Sequence, residues 1–158
     1  MNPETISLSV ETNRDYFNRS TRSLQEEHST FAPAPGTFTA AAQVAHAAQT
    51  IDWFFAGAFA PGGFDLDFER MDKEARACTS LEAARKMFNE ATDRAKATAA
   101  AHTAEEWATP LPPGPIMGGV PRFAITSALT DHTAHHRGAL TVYTRLLGLV
   151  PPMPYMEM

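Results

Sequence analysis

The chain has 158 residues, 18 acidic and 13 basic, for a formal net charge of −5. No Lys/Arg cluster is present to neutralise a phosphate backbone, which argues against nucleic-acid binding. A single cysteine, Cys78, forbids an intrachain disulfide, and no apolar run approaches the roughly 20 residues that cross a bilayer. The N-terminal MNPETISLSVET lacks a basic and then apolar leader pattern. The expectation is one soluble, cytoplasmic domain over residues 1–158, long enough to bury a core without staples.

Pro and Gly gather at 33–36, 61–63 and 110–121, and the stretches between them carry helical rather than strand periodicity. The first helix is expected over 6–27, with Val10, Phe17 and Leu24 on one stripe. The second covers about 38–59 and stops before Pro61-Gly62-Gly63. The third opens at Thr79-Ser80-Leu81-Glu82, whose Thr79 to Glu82 spacing suits a capping box. It aligns Leu81, Ala84, Phe88, Ala91 and Ala95. The fourth opens near Pro121, runs to Leu147 and ends at Gly148, a candidate C′ glycine. Four amphipathic helices of this length predict an all-α four-helix bundle.

Half of the six histidines fall in TDHTAHHRGAL, residues 130–140. Steps of three and four from Ile125 and Leu129 to Tyr143 and Leu147 pass through positions 132, 136 and 140. His132 and His136 therefore continue the core-facing seam, one turn apart. Two imidazoles so placed suit a shared metal ion, and they equally suit hydrogen-bonded core residues. His135, rotated about 100° from His136, is read as a supporting or surface residue. A third ligand would have to come from another helix. His46 is the candidate, on a face with Gln49, Thr50 and Trp53; periodicity leaves that face between a pocket wall and solvent. His28 and His102 end helices and are read as surface residues.

Several chemistries are excluded by spacing. Zincins need a glutamate after the first histidine, where Thr133 stands. Ferritin-like bundles need Glu-x-x-His pairs, which these helices lack. Cys78 precedes a helix start with no histidine near it in sequence and reads as structural.

DHTAHHRGALTVYTRLLGLVPPMPY and QVAHAAQTIDWFF together resemble the DinB/YfiT-like family of bacterial bundle proteins. The resemblance implies a four-helix bundle holding a divalent metal on His46, His132 and His136. It also implies a homodimer, for which the aromatic Trp53-Phe54-Phe55 cluster would supply surface. One departure is Ala139, where many members carry glutamine. Three protein ligands leave a coordination position open, as in catalytic rather than structural zinc sites. Imidazole suits Zn, Ni and Fe alike. Some relatives transfer a low-molecular-weight thiol to an electrophile, so the expected partner is a small-molecule substrate, with a thiol among the candidates. The alternative is a non-catalytic, stress-related binding or dimerising bundle with a stabilising metal. The open position should face a cavity lined by Gln49, Thr50 and Trp53, with the 110–120 segment nearby.

Overall fold

A computed structural model describes residues 1–156. Six α-helices follow one another: α1 (Pro3–Thr21), α2 (Ala40–Phe59), α3 (Phe68–Arg76), α4 (Leu81–Ala101), α5 (Ala104–Ala108) and α6 (Ile125–Leu146). The described residues hold no strand, only an isolated bridge between Pro110 and Pro121. None of the helices is long and apolar enough to cross a membrane. The four long ones form the expected bundle. Around its axis α1 packs on α4, α4 on α2, α2 on α6, and α6 back on α1.

The α2–α4 contact is the most extensive, and residue size explains it. Ala40, Ala41, Ala45, Ala47, Ala48 and Ala58 of α2 and Ala84, Ala91, Ala95 and Ala99 of α4 are all essentially inaccessible to solvent. Small side chains let two helices approach closely and bury both backbones. Bulk is supplied across the bundle by Phe17 and Phe88, fully buried and stacked at 4.3 Å between centroids. Truncating either ring to alanine costs about 3–5 kcal/mol.

Two helix boundaries differ from expectation, for a shared reason. The first helix stops at Thr21 rather than 27. Arg85 of α4 donates to the backbone oxygens of Thr21, at 2.6 Å, and Leu24, at 3.2 Å, satisfying carbonyls that a longer helix would have used. The chain then makes a 3₁₀ turn at Glu26–His28. That turn caps α4: Leu81 N–H donates to Ser29 Oγ at 2.9 Å and Glu82 N–H to the Glu26 carboxylate at 2.8 Å. Ser80, not Thr79, is the N-cap, accepting from Ala83 N–H at 3.1 Å. The Thr79 to Glu82 capping box is therefore absent because tertiary partners take its place.

At the other end, Gly148 is the expected C′ residue at φ 76°. Leu149 N–H reaches Thr144 O and Gly148 N–H reaches Arg145 O, which is the Schellman pattern. The segment after Pro121 begins as a 3₁₀ turn, Arg122–Ala124, before α6 proper.

Helix α3 was not anticipated. It packs on α2 through buried Met71 and Ala75. With Phe64 and Phe68 it covers Trp53, whose ring lies 4.7 Å from Phe64 and 6.2 Å from Phe68. Of the aromatic cluster offered above as dimer surface, Phe54 and Phe55 are thus buried within the chain and Trp53 stays partly exposed. His102 is likewise no plain surface residue: it stacks on Phe59 at 3.6 Å, nearly parallel.

Candidate metal centre

The α2–α6 contact is where the histidines meet. On α6 the seam runs Ile125, Leu129, His132, His136, Leu140 and Tyr143; His136 is 6 % exposed and His132 half-buried. The i, i+4 register stacks the two rings at 4.4 Å and leaves their Nε2 atoms 3.1 Å apart. From α2, His46 reaches in with ring centroids 5.2 Å from His132 and 4.8 Å from His136. The structure therefore brings together the three histidines singled out in the sequence, and leaves His28 and His102 elsewhere. His135 points differently: it is exposed, edge-on to His136 at 5.0 Å.

Do three such rings fit a metal ion? Their ligand nitrogens lie within 4.8 Å of one another. Two nitrogens each about 2.0–2.1 Å from one ion, at roughly 100° to each other, stand about 3.1 Å apart; His132 and His136 already have that separation. His46 stands further off, within 4.8 Å of the pair, and would have to move inward to share an ion with them. The Nδ1 atoms of all three rings are buried without a hydrogen-bond partner, while the Nε2 atoms of His132 and His136 face each other. Among the described residues no carboxylate joins the cluster, so the donor set is all-imidazole and suits a borderline divalent ion.

Electrostatics favour the neutral, ligating form. Burial, with the nearby His46 and His135 adding to it, depresses the His132 pKa to about 4. Burial and the neighbouring His132 depress that of His136 to about 3. His46 is lowered by burial too, against opposition from the Gln49 side chain and the Asp72 charge. Neutral imidazole lone pairs are what a cation binds.

Gln49 completes the surroundings. Its Nε2 donates to Glu74 of α3 at 3.0 Å, which fixes the amide and leaves a buried Oε1 with no partner, one turn along α2 from His46. An acceptor in that place suits the ring N–H of a metal-bound histidine.

Beside the histidines opens a cavity of about 440 Å³, lined by His46, Gln49, Thr50 and Trp53 of α2, by His132, and by Phe38, Phe54, Phe68, Met71 and Asp72. The expected Gln49, Thr50 and Trp53 are there. The 110–120 segment is not; it folds back on itself, Leu111 N–H to Val120 O at 2.8 Å, and α3 forms the wall instead. Of the pocket residues that sequence reasoning missed, Phe68, Met71 and Asp72 come from α3, Phe54 from α2 and Phe38 from just before it. Asp67 as N-cap and an apolar 68–71–75 stripe were the available signals. Cys78 lines no part of this cavity; its thiol contacts Ser80 O at 3.6 Å.

Comparison with known proteins agrees with this picture. A DinB-like protein of Bacillus subtilis superposes with a TM-score of 0.69 at 18 % identity, covering 98 % of this chain and 99 % of that one. YfiT of Bacillus subtilis, described as a probable metal-dependent hydrolase with an unusual four-helix bundle topology, gives 0.70 at 12 % identity over 93 % and 88 %. At these identities the likeness establishes the fold. No curated protein matches the chain. The DinB superfamily model, however, matches residues 9–140, most of the sequence and all three candidate ligands: the chain belongs to the DinB superfamily.

Proposed function

We propose that this protein is a divalent-metal-dependent enzyme in which His46, His132 and His136 hold the ion. On this reading it joins a small nucleophile, a low-molecular-weight thiol in first place, to an electrophile seated in the adjoining cavity. The observation that carries the reading is the convergence of three imidazoles from two helices, His136 buried and His46 and His132 partly so, with the latter two on the wall of a cavity large enough for a small molecule. A site held by three protein side chains keeps a position for an exogenous ligand, which a purely structural ion does not need. A divalent ion at this point supplies Lewis acidity, which lowers the pKa of a coordinating thiol or water into the neutral range.

The chain's own residues do the rest. Burial keeps the imidazoles unprotonated and available. Gln49 offers a fixed acceptor near His46. Trp53, anchored by its Nε1–H to Asp65 O at 2.7 Å, and Phe68 form an apolar wall beside the histidines. A sulfur–carbon bond forms and the thiol proton passes to solvent or base; either the electrophile's leaving group departs with its bonding pair, or its π-bond opens and the far atom takes a proton from solvent. Hydrolysis is the second reading. It is favoured by the description of YfiT and by Asp72, a carboxylate on the cavity wall that could take a proton from water.

The test is consumption of a small thiol with a model electrophile by zinc-, nickel- or iron-loaded protein. Thiol loss that chelator stops and His136→Ala abolishes supports the transferase. Chelator-sensitive turnover of an ester without thiol supports the hydrolase. Tight metal binding with neither activity across a panel of electrophiles and esters leaves the non-catalytic bundle.

A further inference from the structure

The cavity beside the three histidines has an unusual balance of surfaces, and that balance identifies what it accepts. Five of its ten lining residues are large and apolar: Phe38, Trp53, Phe54, Phe68 and Met71. Their rings are positioned rather than loose. Trp53 is held by its hydrogen bond to Asp65 and stands edge-on to Phe54 at 5.0 Å. Phe38 lies between the Arg76 guanidinium, 4.4 Å above its ring, and the His46 ring, 5.3 Å away.

Charge is nearly absent. Asp72 is the one formally charged residue in the lining. It is already engaged by Arg76 Nε at 2.8 Å. Arg76 is spent as well, on Asp72, on the Phe38 ring and on the Gly36 and Thr37 carbonyls. No lysine or arginine is therefore left facing the cavity to receive a carboxylate or phosphate. In the metal-free protein an anionic ligand would lose hydration, find no side-chain cation on the walls, and meet the Asp72 carboxylate. A flat apolar body instead gains ring contacts with these walls beyond simple burial.

We propose that the cavity selects uncharged molecules with a planar aromatic body, whose polar end points to the three histidines; in the function proposed above, this is the electrophile. That assignment of a role rests on the metal-dependent reading, whereas the binding preference rests only on the walls. The thiol, by the same argument, is not the partner that fills this space.

The experiment uses the full-length chain, stripped of metal, titrated with 2-naphthamide and, separately, with 2-naphthoate. These probes share a ring system and differ in charge. Binding is followed by calorimetry and by Trp53-dependent fluorescence quenching, identified by its loss in Trp53→Phe. The expected result is saturable naphthamide binding, about tenfold or more tighter than naphthoate, and weakened by a similar factor in Phe68→Ser. Phe68 is 53 % exposed, so its replacement leaves the core intact. Circular dichroism checks this; if helix content falls, Phe38→Ala carries the same test. Absence of saturable naphthamide binding, naphthoate binding as tightly, or an unchanged affinity in a folded wall variant would each overturn the proposal. Zinc titration of the same samples separates the two ideas. Zinc bound without ligand selectivity sinks this inference alone; ligand selectivity without zinc binding sinks the metal-dependent function and leaves this one standing.

Discussion

Helices α2 and α6, which carry the candidate ligands, and helix α3, which covers them, are held in opposite ways. The first two lie inside the ring of four long helices, and the side chains next to the histidines on the seam, such as Leu129, Leu140 and Val44, are sealed from water. Nine-residue α3 packs on α2 with two buried side chains. Exposed polar contacts do the rest: Gln49 to Glu74 and Arg76 to the Gly36 and Thr37 carbonyls tie it to its surroundings, and Arg70 pairs with Asp65 and Glu74 within the segment. Such pairs contribute about 0–1 kcal/mol each. The lesson is a division of labour: the candidate ion ligands sit on the firmly packed part and the cavity wall on the weakly held part. Damage to one should leave the other measurable.

The strongest way to break that division is His136→Ala. Its ring is the most buried of the three, and two remaining imidazoles hold an ion poorly. Stoichiometric metal binding should disappear in elemental analysis while far-UV circular dichroism stays near wild type, because the seam keeps its apolar residues. Metal content equal to wild type would show that the trio is not the site.

Acid should act next, and on the rigid part first. His132 and His136 have folded-state pKa values of about 4 and about 3, below the ordinary 6.5. Above pH 6.5 both folded and unfolded chains carry these rings neutral. As pH falls from 6.5 towards 4 the unfolded chain takes up protons that the folded chain refuses, so the metal-free protein loses stability across that window. The urea midpoint should fall accordingly, and the dependence should flatten in a His132→Ala/His136→Ala double variant. Protons also compete late for the folded site. Metal should persist through pH 6.5, where an ordinary histidine site discharges, and leave as pH approaches 4.

Gly57→Ala should sharpen the contrast from the other side. A Cβ at this position would stand 2.2 Å from Cδ1 of Phe64, whose ring supports Trp53. Accommodating it displaces Phe64, costing about 1–3 kcal/mol against a helix-propensity gain of up to about 1. Denaturation should show a small net loss and fluorescence an altered Trp53 environment, with metal affinity unchanged within about threefold. A fall in metal affinity as large as that of His136→Ala would mean the two regions are not separable.

The smallest expected effect is that of Arg70→Ala. It removes exposed ion pairs, so stability should drop by no more than about 1 kcal/mol and the loss should vanish in high salt. Proteolysis should nevertheless cut residues 64–76 faster. An unchanged cleavage rate would show that α3 is held by Met71 and Ala75 rather than by charge.

The sequence by itself determined the parts governed by local periodicity. The four long helices, the Schellman end at Gly148 and the stacking of His132 on His136 follow from spacing along one chain segment, and spacing survives folding. The position of His46 did not follow from spacing, because a face bearing Gln49, Thr50 and Trp53 can line a pocket or meet water equally well. Only the packing of α2 against α6, together with the family resemblance, resolved it. Tertiary structure alone decided three further points. Thr79 lost its cap to Ser80, because Ser29 and Glu26 arrive from 50 residues away to satisfy the same N–H groups. The first helix ended early because Arg85 takes its carbonyls. Helix α3 became the pocket wall although its charged, nine-residue stretch has little intrinsic helical stability; it forms because Trp53 needs covering. In each case the deciding partner lies far along the chain, where no local pattern can register it.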